Sequence, residues 1–337
     1  MKNKRYSISE VAEMLGVSKS TVSRAINGTK GVGDELRQKV LDFVDEIGYK
    51  PNTLAQGLSK GKVNIIALIL GDIRNPFYAD LTFNIQTELS EKGYMVMVFN
   101  SEYEAEREIE FLKLITQFNF AGLILITAQK DQMVEMLDEM DIPKVLVNRI
   151  LPSYSGDSVL TDNFRAGYLA VMHLLDLGHK NIGFVRGPSA SSASTQRYEG
   201  YRQALLSFGL PFNQAYIYSS DLKMETGQDI AGQILAERDR PSAVVAVNDM
   251  TAVGLLDGCR KQGLRIPEDL SIISFDNINF AAMAGIELTT FSQHVDKMSK
   301  EATRLMLKQL ENREVKSERV IIEPTLIVRK TTGPATE

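Results

Sequence analysis

Residues 7–28 read SISEVAEMLGVSKSTVSRAING, two short helical patterns joined at a glycine. Ser7 and Glu10 have the spacing of a capping box, in which a hydroxyl accepts an N–H of the first turn and the Glu three residues on reaches back. Val11, Ala12 and Leu15 then form one apolar stripe, and Gly16 ends the helix. Ser18 is placed to cap a second helix whose Val22, Ala25 and Ile26 can pack on the first, leaving Lys19, Ser20, Ser23 and Arg24 outward. This is the helix-turn-helix plan, whose second helix lies in a DNA major groove with its N-terminal side chains at base edges. The same pattern also suits an αα-hairpin of a small globular domain, so context must decide.

Charge and composition supply part of that context. The chain of 337 residues is long enough for two or three domains and has the apolar content to build cores. Its net charge of −5 is unevenly spread: residues 1–62 carry eleven Lys/Arg against seven Asp/Glu, a surplus of +4 that leaves −9 on the remainder. A basic head on an acidic body suits nucleic-acid binding. Residues 34–47 read as a third amphipathic helix, with Leu36, Val40, Phe43, Val44 and Ile47 on one face and Gly48 as its stop. Cys259 is the single cysteine, so an intramolecular disulfide is excluded. With no apolar N-terminal segment and no run of transmembrane length, a soluble cytoplasmic protein without membrane contact is expected.

Beyond the polar segment Ser59-Lys60-Gly61-Lys62 the pattern changes to apolar runs alternating with amphipathic ones. Strands are expected at Ile65–Leu70, Met95–Phe99, Leu123–Ile126, Val145–Val147, Val159–Leu160, Ile182–Val185, Val244–Val247 and Ile272–Phe275. Helices are expected at Tyr78–Glu91, Glu106–Phe118, Phe164–Leu177, Thr195–Phe208, Gly227–Arg238 and Met250–Gln262. Continuous β-branched runs between helices indicate parallel sheets covered on both faces, here in two similar α/β lobes. The strand ends carry the chemistry: Asp72 and Asn75-Pro76-Phe77-Tyr78 after the first, then Asn148-Arg149, Thr161-Asp162-Asn163, Asn248-Asp249 and Asp276-Asn277. Ligands of open parallel sheets bind outside such ends. Asp and Asn also cap helices at these junctions, and about half of the set is expected to be structural; Asn248 and Asp276, flush with their strands, look least like caps. Asp and Asn can accept from and donate to neighbouring hydroxyls, Arg offers a rigid donor fork, and aromatic rings cover C–H faces, which together suit a sugar. No nucleophile, metal-ligand spacing or phosphate loop accompanies them, so no cofactor or metal is expected. His173, His179 and His294 are isolated in sequence, and His179 is expected to stabilise a helix end.

The run VSKSTVSRAING, followed by a helix, then GYKPN and a Leu-Ala-x-x-Leu segment, resembles the N-terminus of the LacI/GalR family of bacterial transcription regulators. The resemblance covers essentially the whole chain. It implies an all-α helix-turn-helix head at 1–50, a hinge at 51–62 and a periplasmic-binding-protein-like effector domain at 63–337 made of two doubly wound lobes. Lobe one would take 63–161 and 292–322, and lobe two 162–291 and 323–337, with crossovers near Asp162, Phe291 and Glu323. DNA contacts are implied for Ser18, Lys19, Ser20, Thr21, Ser23, Arg24 and Asn27 in the head. In the hinge, the family's minor-groove wedge falls on Leu58, with Ala55 one turn back and Asn52 before it. Gly57 weakens that helix by about 1 kcal/mol relative to Ala. For the ligand, the pattern of ribose-binding relatives falls on Asn75, Phe77, Tyr78, Arg149, Arg197, Asn248, Asp276 and Gln293. Asn148 stands where that pattern has an acid, and Asp72 joins the set as a strand-end acid.

Three functions compete. A ligand-responsive DNA-binding repressor, working as a homodimer on a palindromic operator, fits both the head and the body. A transport binding protein would lack the basic head, and an enzyme would need catalytic groups at the strand ends. The effector is expected to be a neutral monosaccharide, with a sugar acid, a nucleoside or purine, or a protein co-effector left open, as is action as an activator. The chain ends VRKTTGPATE without a leucine-heptad tail, so tetramers built on such a tail are not expected.

Overall fold

The computed structural model describes residues 6–26, 28–49, 63–312 and 316–335. The chain divides into two compact units, residues 1–63 and 64–337. Among its described residues the first contains three helices, α1 (Ile8–Leu15), α2 (Lys19–Ile26) and α3 (Asp34–Glu46). The capping box is present: Ser7 Oγ accepts from the Glu10 N–H while the Glu10 carboxylate accepts from the Ser7 N–H at 2.8 Å. Gly16 closes α1 in the left-handed region at φ 65°, which glycine adopts without a Cβ penalty. Val11, Ala12, Val22, Ala25, Val40 and Val44 form the core, with Leu15, Ile26, Phe43 and Ile47 against it. Leu36 departs from the expected apolar face. It is exposed, on a surface groove that it lines with Leu15 and Phe43 instead of in the core.

The second unit holds two six-stranded sheets. Sheet one has the order β11-β5-β4-β3-β1-β2, from β1 (Val63–Leu70), β2 (Met95–Asn100), β3 (Phe120–Leu125), β4 (Lys144–Val147), β5 (Asp157–Thr161) and β11 (Arg319–Ile322). Sheet two has the order β12-β10-β9-β8-β6-β7, from β6 (Ile182–Arg186), β7 (Ile217–Ser219), β8 (Ala243–Val245), β9 (Ser271–Asp276), β10 (Thr289–Ser292) and β12 (Thr325–Ile327). Lobe one adds α4 (Pro76–Glu91), α5 (Ala105–Gln117), α6 (Met133–Glu139) and α11 (Val295–Glu311); lobe two adds α7 (Asn163–Asp176), α8 (Ser192–Ser207), α9 (Met224–Ala236) and α10 (Asp249–Lys261). All eight expected strands and all six expected helices appear, with ends shifted by up to a few residues. The sequence missed β7, β10, β11, β12, α6 and α11. Strand β12 pairs antiparallel with β10, so sheet two is mixed at that edge.

The chain passes between the sheets three times, after β5, after β10 and after β11. Hydrogen bonds tie these passages together. The Asp162 N–H donates to Ile322 O at 3.1 Å, and His294 Nε2 lies 2.8 Å from Thr325 Oγ1. The helices α7 and α8 of lobe two cross at glycine contacts. A Cβ on Gly167 would strike the Arg197 carbonyl, and one on Gly200 would strike that of Phe164. Only glycine lets α7 and α8 approach this closely, and that approach sets where Arg197 stands.

His179 closes a helix end as expected and has a further role. Its backbone N–H does close α7, donating to Leu174 O, but its buried ring reaches elsewhere. Nδ1 lies 2.9 Å from Ser242 Oγ, and Nε2 lies 3.1 Å from Ser271 Oγ and 3.0 Å from Gly333 O. A carbonyl only accepts, so Nε2 carries the proton of a neutral imidazole. Burial holds its pKa below the usual value. Protonation therefore favours the unfolded chain: His179's share of stability is complete above the unfolded pKa near 6.5 and is lost as pH falls through the lower folded value. Melting curves at pH 7 and 5.5 should show a smaller acid-induced loss of stability in His179→Gln than in the unmodified protein. An identical loss in both would remove His179 as the titrating group.

Candidate functional site

In the head, the outer face of α2 presents Lys19, Ser20 and Arg24, all exposed, with Thr21 and Ser23 half-buried beside them. Ser18 caps the helix: its Oγ accepts from the Thr21 N–H at 3.1 Å and lies 2.7 Å from Ser20 Oγ and 2.8 Å from Thr21 Oγ1. Asn27, Asn52, Ala55 and Leu58 lie outside the described residues.

In the second unit, one cavity of about 340 Å³, open mouth included, is lined from both lobes. Lobe one contributes Asn75, Phe77, Tyr78, Asn148 and Arg149; lobe two contributes Arg197, Asn248 and Asp276; Gln293 comes from the passage after β10. Nine of the ten candidates thus meet across up to 218 positions of sequence. Asp72 does not line the cavity. Its carboxylate receives Arg74 Nη2 at 2.7 Å and Nε at 2.9 Å, a paired acid held by its own turn. Ser191, Ser194 and Leu222 line the cavity and were not anticipated.

Several of these residues hold backbone as well. Asn75 caps α4, its Oδ1 accepting from the Phe77 N–H at 3.0 Å, which fixes Phe77 and Tyr78 edge to face at 5.2 Å. Asp162 caps α7 by accepting from the Arg165 N–H at 2.9 Å. Asn248 is also a cap, contrary to the expectation from its strand-end position. Its Oδ1 accepts from the Thr251 N–H at 2.9 Å and its Nδ2 donates to Leu222 O at 3.1 Å. A residue flush with a strand end is also the residue before the next helix when no loop intervenes, so sequence cannot separate the two roles.

Arg197 anchors the interior. Its Nε donates to Asn163 Oδ1 at 2.8 Å, its Nη1 to Val247 O at 2.7 Å, and its Nη2 stands 3.9 Å from Asp276 Oδ1, with the guanidinium 4.6 Å over the Phe275 ring. Asp276 caps no helix; its Oδ1 accepts from Gln293 Nε2 at 2.5 Å, and Gln293 Oε1 accepts from Thr161 Oγ1 at 3.0 Å. Burial pushes the Asp276 carboxyl up from the usual carboxylate range, opposed by Arg197 and reinforced by Asp249. Asp276 sits at φ 123° and Asn148 at φ 66°, so both occupy backbone that side-chain-bearing residues seldom adopt. Asn163 was missed as a contributor, although it follows a strand end like the others; only the Arg197 contact reveals its role.

Residues 7–52 match the family described as "Bacterial regulatory proteins, lacI family", and residues 171–332 match a "Periplasmic binding protein-like domain". Over 334 residues the chain is 34% identical to the HTH-type transcriptional regulator DegA of Bacillus subtilis, covering 98% of this chain and 99% of the relative. The chain belongs to the lacI family of bacterial regulatory proteins. The regulator is also 29% identical over 325 residues to the HTH-type transcriptional repressor PurR of Mannheimia succiniciproducens, covering 96% and 97% of the two chains. Among solved structures it resembles a LacI family transcriptional regulator from Enterococcus faecium with bound ribose, at 30% identity and a TM-score of 0.74, covering 81% of this chain and all of that one. It is thus a sequence-specific DNA-binding regulator and not an enzyme, with the helix-turn-helix and two-lobed fold expected from its sequence. Among the described residues no His/Cys/Asp/Glu group could hold a metal, and no helix is long and apolar enough to cross a membrane.

Asn163→Ala in this regulator removes the acceptor of a buried guanidinium. The loss should destabilise the second unit by about 1–3 kcal/mol. Urea unfolding followed by circular dichroism would measure it, and an unchanged midpoint would show that the Arg197–Asn163 bond is dispensable.

Proposed function

We propose that this regulator binds an operator as a homodimer and that the cavity between its lobes receives a single sugar unit as effector. The lining of that cavity carries the reading. It combines donors and acceptors from Asn75, Asn148, Arg149, Asn248 and Asp276 with the rings of Phe77 and Tyr78. Such groups bind hydroxyls at the edge of a sugar and cover its C–H face. The related structure with bound ribose supports the same class. Calorimetry with a panel of aldoses and their acids should show one site per chain. Asp276→Asn, which keeps the side chain's shape but trades its charge, should lower affinity at least tenfold. Unchanged binding would place the effector elsewhere.

Operator reading is assigned to α2. Arg24 makes the bidentate contact to guanine, Lys19 and Ser20 select neighbouring bases, and Ser23 and Asn27 contact phosphates, with Ser18 and Thr21 at the helix start. Two heads in a symmetric dimer read an inverted repeat, and Asn52, Ala55 and Leu58 contribute a minor-groove wedge between the half-sites. Arg24→Ala should cost about 1–3 kcal/mol on the operator and far less on random DNA. Equal weakening of both would reduce Arg24 to a phosphate contact. Linkage fixes the sign of regulation: an effector that weakens operator binding is itself bound less tightly by the DNA-bound protein, by the same factor.

Lobe one offers apolar surface for the dimer. Phe83 on α4 and Met95 and Met97 on the edge strand β2 are all exposed, and an uncovered apolar strand edge invites pairing with a second copy. Light scattering at micromolar concentration should give twice the 37.5 kDa chain mass. A monomer or a stable tetramer would contradict the assignment.

A further inference from the structure

The cavity is unbalanced in charge. Arg149 and Arg197 both line it, against the single acid Asp276. Arg197 is engaged by Asn163, Val247 and Asp276, as described above. Arg149 is not. It is 2% exposed, and its Nε and Nη1 have no hydrogen-bond partner, while the neighbouring Asn148 Oδ1 also has none. The guanidinium rests 5.4 Å from the Tyr103 ring, a contact that positions the cation without satisfying its N–H groups.

No nearby acid is free to neutralise it. Asp72 is committed to Arg74. The buried carboxylate of Glu108 accepts from Thr127 Oγ1 at 2.8 Å, the Gln129 N–H at 3.2 Å and Ser101 Oγ at 3.3 Å, and burial pushes its pKa up to about 7. Glu108 attracts Arg149 through space, but its oxygens are taken by these three donors and none hydrogen-bonds the guanidinium. A buried guanidinium whose Nε and Nη1 lack hydrogen-bond partners is costly, and an incoming anion removes that cost. The N-terminus of the sixteen-residue helix α8 adds positive potential at the same place. Ser191, Ala193 and Ser194 of its first turn line the cavity, and the Ile150 N–H, next in chain to Arg149, donates to Ser192 Oγ at 3.0 Å.

We infer that the effector is a monosaccharide acid whose carboxylate pairs with Arg149. This rests on the sugar reading of the cavity given above and narrows it. A planar carboxylate matches the guanidinium fork and supplies the one negative charge that the site lacks. A phosphate monoester would bring nearly two charges and overshoot it. Asn148 is what leaves the charge open, since an acid at that position would neutralise Arg149 from within the protein.

The test uses the full-length protein and matched pairs that differ only at C6: glucose with glucuronate, galactose with galacturonate and mannose with mannuronate, plus glucose 6-phosphate. Calorimetry should find at least one uronate bound at least tenfold more tightly than its parent aldose. Arg149→Gln should abolish that preference, Arg149→Lys should restore part of it, and Asn148→Asp should reverse it towards the neutral sugar. Melting curves confirm that each variant folds. An aldose bound as tightly as its uronate by the unmodified protein overturns the acid assignment and leaves the sugar reading standing. Glucose 6-phosphate bound more tightly than glucuronate overturns the carboxylate. No binding by any member of the panel overturns both readings.

Discussion

A positive charge buried between two lobes must be held by the protein itself, and Arg197 shows how. Water is excluded from its side chain, so its Nε and Nη1 donate to Asn163 and to the Val247 carbonyl, while Asp276 supplies the opposing charge. Asp276 in turn accepts from Gln293, which accepts from Thr161. The chain of contacts runs from the second lobe's interior to two of the passages between the lobes. Removing one partner of a buried charge leaves the other uncompensated, at a cost of about 3–5 kcal/mol. The polar interior of the cavity is therefore tied to the passages between the lobes.

The same economy appears at the strand ends. Asn75 and Asn248 each close the first turn of a helix and line the cavity at once. A helix start needs an acceptor for its unpaired N–H groups, and a ligand cavity needs polar groups in fixed places on its wall. One amide side chain can do both because its oxygen faces the helix; at Asn248 the nitrogen is engaged as well, donating to Leu222 O. Asn148 and Asp276 instead take left-handed backbone, cap nothing, and turn their side chains into the cavity. Strain of that kind persists only where surrounding structure enforces it.

The head obeys a simpler rule. Six small apolar residues make its core, the capping box and Gly16 fix where α1 begins and ends, and Lys19, Ser20 and Arg24 are left outside because no core position can hold them. Its positive charge and the acidity of the remaining chain divide the labour between a polyanion and a small molecule.

Local signals in the sequence determined much of this: the capping box, the glycine stops, the alternation of β-branched runs with helices, and the polar residues after each strand. These features act over a few residues, so they can be read in order along the chain. Strands β7, β10, β11 and β12 have three or four residues, as β4 and β8 do, but they lack those strands' runs of valine, or carry polar residues among few apolar ones, and so show too little pattern to be read. Asp72 and Asn163 looked alike as strand-end polar residues, yet one is held by Arg74 in its own turn and the other supports Arg197 from 34 positions away. His179 meets partners 63 to 154 positions distant, so neither its tautomer nor its ring's role could be inferred from its neighbours. The sequence carried the inventory of chemical groups, whereas the packing of helices and sheets chose which of them meet, because a buried polar group takes its function from whichever partner the fold brings within about 3 Å.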